Sequence, residues 1–125
     1  MITKQIVEAY EALTIFIAQD KENKYSLTPK VRLILANNVR VLKNPAKKYF
    51  DEYNAIVQRL GERNKDGSYT VTNQENVKIL NIERNDILNT VTDVEITPVK
   101  YADIGLNDIS IDLVAILLET GLVVE

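Results

Sequence analysis

Apolar residues recur along this chain at alternating spacings of three and four, and polar breaks cut the recurrence into segments. Ile6, Tyr10, Leu13 and Ile17 form the first stripe, which places them on one face of a helix. The spacing predicts a helix from residue 4 to about residue 19, with Thr3 as its N-cap and Ile2 packing onto Val7 one turn inside. Residues 20–26 are polar and break the period. Thr28-Pro29 supplies the next start, a hydroxyl cap followed by proline at the first helical position.

Residues 31–43 carry two periodicities. Val31-Arg32-Leu33-Ile34-Leu35 and Val39-Arg40-Val41 alternate around Ala36-Asn37-Asn38, as two strands of a hairpin would. Val31, Leu35, Val39 and Leu42 also form a helical stripe, and the Thr-Pro start decides for helix. Pro45 has no N–H for the carbonyl of Val41 and its ring crowds that carbonyl, so a kink or a restart capped by Asn44 is expected there. Beyond it Ala46, Tyr49, Phe50, Tyr53, Ile56, Val57 and Leu60 fill one face, and Gly61 reads as a left-handed stop.

Asp66-Gly67 is a turn signal, and Tyr69-Thr70-Val71 reads as a short strand. Thr72 and Glu75 have the spacing of a capping box for a return helix whose seam is Val77, Leu80, Ile87, Leu88 and Val91, interrupted by Arg84 facing water or a carboxylate. Residues 45–60 and 73–91 thus form a hairpin of two amphipathic helices. Val94-Glu95-Ile96 alternates and stops at Pro98, which predicts an edge strand paired with Tyr69 to Val71. A last helix has Ser110 as cap, Ile109 and Val114 as staple and Gly121 as stop. Leu122-Val123-Val124 follows as an apolar tail that needs cover from the core or a neighbour. The expected fold is mainly α (α+β): an antiparallel helical hairpin or bundle of four to five helices with a small antiparallel two-stranded β element. One domain is expected, with helices in 1–61, a turn and short strand in 62–72, the return helix in 73–92, a strand in 93–99 and the C-terminal helix in 110–121.

Composition removes most catalytic options. The chain has 125 residues, enough to bury a core without disulfides. It contains no His, Cys or Trp, so the usual acid–base switch, the thiol nucleophile and the commonest transition-metal ligands are missing. Its four glycines are scattered, and none builds a phosphate loop. Asp103, Asp108 and Asp112 lack the spacing of a calcium loop, and Asp108 and Asp112 sit where helix starts favour negative charge. No catalytic residue, cofactor or metal is expected. Glu8 and Glu11 fall where a signal peptide needs its apolar stretch, and the longest apolar run, Leu113 to Leu118, is far short of the roughly 20 residues that span a bilayer. The expectation is a soluble, intracellular protein with no membrane partner.

The net charge of −3 conceals a segregation. Between residues 23 and 50 every charge is positive (Lys24, Lys30, Arg32, Arg40, Lys43, Lys47, Lys48), and after Asp86 every charge but Lys100 is negative. Arg40, Lys43 and Lys47 share a face if the helix continues through Pro45, with Lys48 and Arg32 nearby. These residues, Arg40, Lys43, Lys47 and Lys48, are the candidate partner-binding set. Tyr49, Tyr53, Val57 and Leu60 are the candidate seam, as core or as interface. The basic run is expected to meet acidic groups of the same protein or of a second copy. Nucleic acid is the lesser alternative because the chain as a whole is acidic.

An N-terminal amphipathic helix, Asn38 four residues before Leu42, a tyrosine-bearing helix ending at Leu60-Gly61, the Asp66-Gly67 turn, a return helix, Val94-Glu95-Ile96-Thr97-Pro98 and a closing Ile109-Ser110 helix together resemble an uncharacterised family of small tailed-phage proteins from phages of Gram-positive bacteria. The resemblance covers most of the chain and rests on element order rather than on a catalytic motif. It implies phage origin. The resulting expectation is a non-enzymatic phage protein acting by protein–protein contacts, a self-associating virion or morphogenesis accessory that binds itself and another phage or host protein. Two alternatives remain: an inhibitor of a bacterial defence system, and a nucleic-acid-binding protein using the basic stretch 24–48.

Overall fold

The computed structural model describes residues 1–22, 26–104 and 109–125; Lys24 of the basic run and Asp108 of the carboxylate group lie outside them. In chain order the elements are α1 (Thr3–Lys21), α2 (Pro29–Leu60), β1 (Glu62–Arg63), β2 (Tyr69–Thr70), α3 (Gln74–Leu88), β3 (Val99–Lys100), a 3-10 turn (Tyr101–Asp103), α4 (Ile111–Glu119) and β4 (Val123–Val124). The fold is mainly α, with four α-helices among the described residues and a small antiparallel strand pair.

α2 settles the ambiguity at residues 31–43 in favour of helix and runs unbroken past Pro45. Thr28 caps it as the sequence indicates, its hydroxyl oxygen accepting from the Val31 N–H at 3.2 Å. No restart at Asn44 occurs, and the reason is burial on both sides of the proline. Leu42 and Ala46 are fully buried and Tyr49 nearly so. Burying Leu42 alone contributes roughly 1.5 to 3 kcal/mol, so together with Ala46 and Tyr49 it outweighs the ~3 kcal/mol that an interior proline costs. The helix is about 48 Å long at 1.5 Å per residue. Its inner stripe is Val31, Leu35, Asn38, Leu42, Ala46, Tyr49 and Ile56, of which Val31, Leu35, Leu42 and Ala46 share one core with Ile6, Leu13 and Phe16 of α1.

Helix ends differ from the sequence reading where tertiary contacts claim the capping groups. Thr3 is the first helical residue rather than the cap: its hydroxyl donates to the Thr90 carbonyl at 3.1 Å, while Ile2 takes the cap position. With the Thr92 N–H donating to the Met1 carbonyl, these bonds sew the N-terminus to residues 90–92. That connection explains why α3 stops at Leu88 and Val91 is left exposed instead of joining the seam. Asn73 rather than Thr72 caps α3, accepting from the N–H groups of Glu75 and Asn76. Gly61 is extended, not left-handed. Glycine is required there because a Cβ would lie 2.6 Å from the Val57 carbonyl oxygen and 3.0 Å from that of Thr70. Gly121 does take the left-handed stop, with φ of 78°, and Ser110 caps α4 by accepting from the Leu113 N–H at 3.2 Å.

The predicted strand pairing is corrected. β2 pairs with β1, Glu62 opposite Thr70 and Arg63 opposite Tyr69, across the Asp66-Gly67 turn in which Asp66 accepts from both the N–H and the hydroxyl of Ser68. Local closure of a hairpin costs less entropy than the long-range pairing expected for residues 94–96, and those residues form no strand. Three residues further on, β3 pairs in parallel with β4, Val99 opposite Val123, with α4 as part of the crossover that a parallel pair needs. Leu122 and Val123 of the apolar tail are thereby buried, while Val124 stays 38% exposed.

One polar side chain lies in the core stripe. Asn38, 1% exposed, donates through Nδ2 to the Thr97 carbonyl and accepts through Oδ1 from the Thr97 N–H, each at 2.8 Å. Asn38→Ala strands that backbone pair and should lower unfolding stability by about 2 to 3 kcal/mol in urea titration. Asn38→Asp keeps the acceptor but aims a second carboxylate oxygen at a carbonyl. It should be at least as damaging at neutral pH and recover as the pH falls towards the carboxyl's pKa. Wild-type stability in both variants would show the clamp to be idle.

Candidate interaction surfaces

Because α2 passes through Pro45 without a break, Arg40, Lys43 and Lys47 do share one face, within roughly 60° of one another at 3.6 residues per turn and spanning roughly 10 Å. All three are exposed. Among the described residues none is within ion-pair distance of a carboxylate. The expected pairing of this stretch with the acidic C-terminal third is therefore not made inside the described chain. The neighbouring cations are engaged: Arg32 grips Asp20 of α1 through two nitrogens at 2.5 and 3.2 Å, and Lys48, on the flank of the stripe, stands 3.9 Å from Glu52 one turn on. The basic site thus reduces to three free cations, with Lys48 beside rather than among them.

The seam residues lie where α2 leaves α1 and continues alongside α3. Tyr49 is buried, and Tyr53, Val57 and Leu60 are half-buried. The Tyr49 ring stacks on Tyr53 at 6.0 Å and meets Phe50 edge-on at 5.3 Å. α3 returns antiparallel, held by the Arg59–Glu83 ion pair and by the Asn76 amide donating to the Leu60 carbonyl at 3.0 Å. Of the two alternatives for Arg84, water or a carboxylate, no carboxylate is within ion-pair distance among the described residues. Its Nε is buried without a hydrogen-bond partner among the described residues, and its charge acts on Tyr49. Burial raises the Tyr49 pKa above 10.0, Arg84 opposes that rise, and Tyr53 and Glu11 add to it.

α3 is the thinnest part of the packing. None of its residues is fully buried, and Ile79 and Ile82, one turn apart on its outer face, are 40% and 62% exposed. The sequence pointed to the inner seam but gave no sign of this second apolar pair.

A cleft of about 370 Å³ lies between α2 and the end of α3, with Pro45, Lys48, Tyr49 and Glu52 facing Thr3, Ile87, Thr90 and Thr92. A larger one, about 710 Å³, separates the start of α2 from residues 98–103 and has Lys30, Lys100 and Asp103 on its walls. Asp112 lies away from it in the first turn of α4. Among the described residues no three carboxylates gather as metal ligands would, and no helix is long and apolar enough to cross a membrane. No protein family, curated protein or solved structure matches this chain.

Replacing Tyr53 by Asp removes the stack on Tyr49 and puts an unpaired charge in a half-apolar seam, so a loss of roughly 1.5 to 3 kcal/mol is expected from urea titration; an unchanged midpoint would mark the stack as dispensable. Tyr49 gives a pH signature. Since its folded pKa is raised, the unfolded chain loses this proton first as pH climbs past 10. The folded state's advantage is complete below that pH and declines through the raised folded value. Tyr49→Phe should therefore lose less melting temperature than wild type between pH 9.5 and 11, and parallel curves would contradict this.

Proposed function

We propose that this is a non-enzymatic, self-associating protein that acts through protein–protein contacts, as a virion or morphogenesis accessory of a tailed phage. The phage assignment rests on the resemblance in element order. The observation that supports contact chemistry is that apolar side chains stand outside on all four helices: Ile15 on α1, Leu33 on α2, Ile79 and Ile82 on α3, Ile111, Ile116 and Leu118 on α4. Isolated exposed aliphatics are ordinary. Here they adjoin one another, as Ile79 with Ile82 and Ile15 with Ile116 do, and adjoining apolar groups rimmed by charge are what interfaces present.

A second reading has one observation in its favour. The free cations Arg40, Lys43 and Lys47 form a row that would suit phosphates, with Tyr49 and Tyr53 on the same helix. Those rings, however, face the seam and stack on each other, so they are not offered to bases.

Light scattering across a concentration series tests the proposal. A multiple of the monomer mass that grows with concentration is expected. A constant monomer mass together with a nucleic-acid affinity that falls steeply with salt would replace it by the second reading.

A further inference from the structure

Two outward faces of the molecule complement each other, and neither is answered within the described chain. On α2, Arg40, Lys43 and Lys47 are free of carboxylates, and Leu33, 64% exposed, precedes them on the same side of the helix. Asp51 closes the stripe. On the other side of the molecule, α1 and α4 enclose a shallow groove of about 200 Å³. Its apolar lining is Ala12, Ile15 and Ile116, and its rim is Glu8, Glu11 and Glu119. Ile15 is 51% exposed, and none of the three glutamates is within ion-pair distance of a cation among the described residues. Lys4, one turn before Glu8, ends the acidic stretch. Glu8 and Glu11 are about one turn apart on their helix, as Lys43 and Lys47 are on theirs.

One molecule cannot bring these faces together. α1 packs on the inner stripe of α2, and Arg40, Lys43 and Lys47 lie on the opposite, exposed face of that helix, so they do not reach Glu8, Glu11 or Glu119 of their own copy. We infer that the basic face of α2 docks against the α1–α4 groove of a second copy, the three cations meeting the glutamate rim and Leu33 meeting Ile15 and Ile116. The inference rests on the self-association proposed above and names its surface. A second copy is the occupant because it presents the complementary charge and an apolar patch together, whereas a nucleic acid would use only three cations on a chain of net charge −3. The contact joins two different patches, so a pair keeps one unused face of each kind, the groove on one copy and the basic face on the other. Such heterologous contacts propagate into a ring if the rotation closes and a filament if it does not.

Charge exchange tests this. One variant carries Arg40→Glu, Lys43→Glu and Lys47→Glu; the other carries Glu8→Lys, Glu11→Lys and Glu119→Lys. Each alone should stay monomeric at concentrations where wild type assembles, and an equimolar mixture should recover assembly because each supplies the charge the other's face then needs. Wild-type assembly should dissolve in 1 M salt, where the screening length is about 3 Å. If either variant loses its helical circular dichroism, Lys43→Gln with Lys47→Gln replaces it and should raise the dissociation constant about tenfold. Variants that assemble like wild type would overturn the inferred surface and leave self-association standing. Folded variants that do not recover on mixing would overturn it too. A wild type that never exceeds monomer mass would overturn both. DNA binding lost from the first variant while its assembly is unchanged would assign the α2 face to nucleic acid instead.

Discussion

The clamp between the Asn38 side chain and the Thr97 backbone is the interaction on which the C-terminal half of this fold depends. Residues 92–98 have neither helix nor strand of their own to fix them, yet Val99 must arrive in register with Val123 for β3 and β4 to pair. The Asn38 amide supplies both a donor and an acceptor at 2.8 Å to the residue two positions before Val99. That sets where β3 begins, and β3 in turn draws Leu122 and Val123 into the core beneath α4. A buried amide is costly unless fully bonded, so the site tolerates one chain position and rejects neighbouring ones. Its value lies in specifying register as much as in stabilising the core.

The length of α2 is the second constraint. One uninterrupted helix of 32 residues serves two partners in succession, α1 along its first two thirds and α3 along its last. Continuity through Pro45 also determines the surface, because only an unbroken helix lines up Arg40, Lys43 and Lys47. Nearby cations are consumed by Asp20 and Glu52, which leaves a compact positive stripe opposite the glutamate-rimmed groove of α1 and α4. The charge segregation read along the sequence thus reappears as two separate faces, with the acid coming from α1 and α4 together rather than from the C-terminal third alone.

Much of this was legible because apolar periodicity is a local signal. The stripes of α1 and α2, the Thr28 and Ser110 caps, the Asp66-Gly67 turn and the left-handed Gly121 all follow from residues a few positions apart. What failed were mostly long-range features. Residues 94–96 look like a strand and are not, because β2 already had a partner in β1 across a short turn. Thr3 and Thr72 look like caps, but Thr3 spends its hydroxyl on Thr90 and Asn73 outcompetes Thr72. Of the candidate site, the basic face was visible once the helix was assumed continuous, whereas the α1–α4 groove was not, since α1 and α4 are some hundred positions apart. Asn38 had a signal available: it is the one polar residue in the stripe Val31, Leu35, Asn38, Leu42, a position where an amide most often specifies register.

The account turns on which surfaces of two copies meet, and zero-length carbodiimide coupling of mixed isotope-labelled and unlabelled wild-type protein reads that directly. Coupled peptides should join Lys43 or Lys47 of one copy to Glu8, Glu11 or Glu119 of the other, identified by their mixed isotope content. Coupling confined to residues of the same copy, or mixed pairs that consistently omit the α2 lysines, would contradict it.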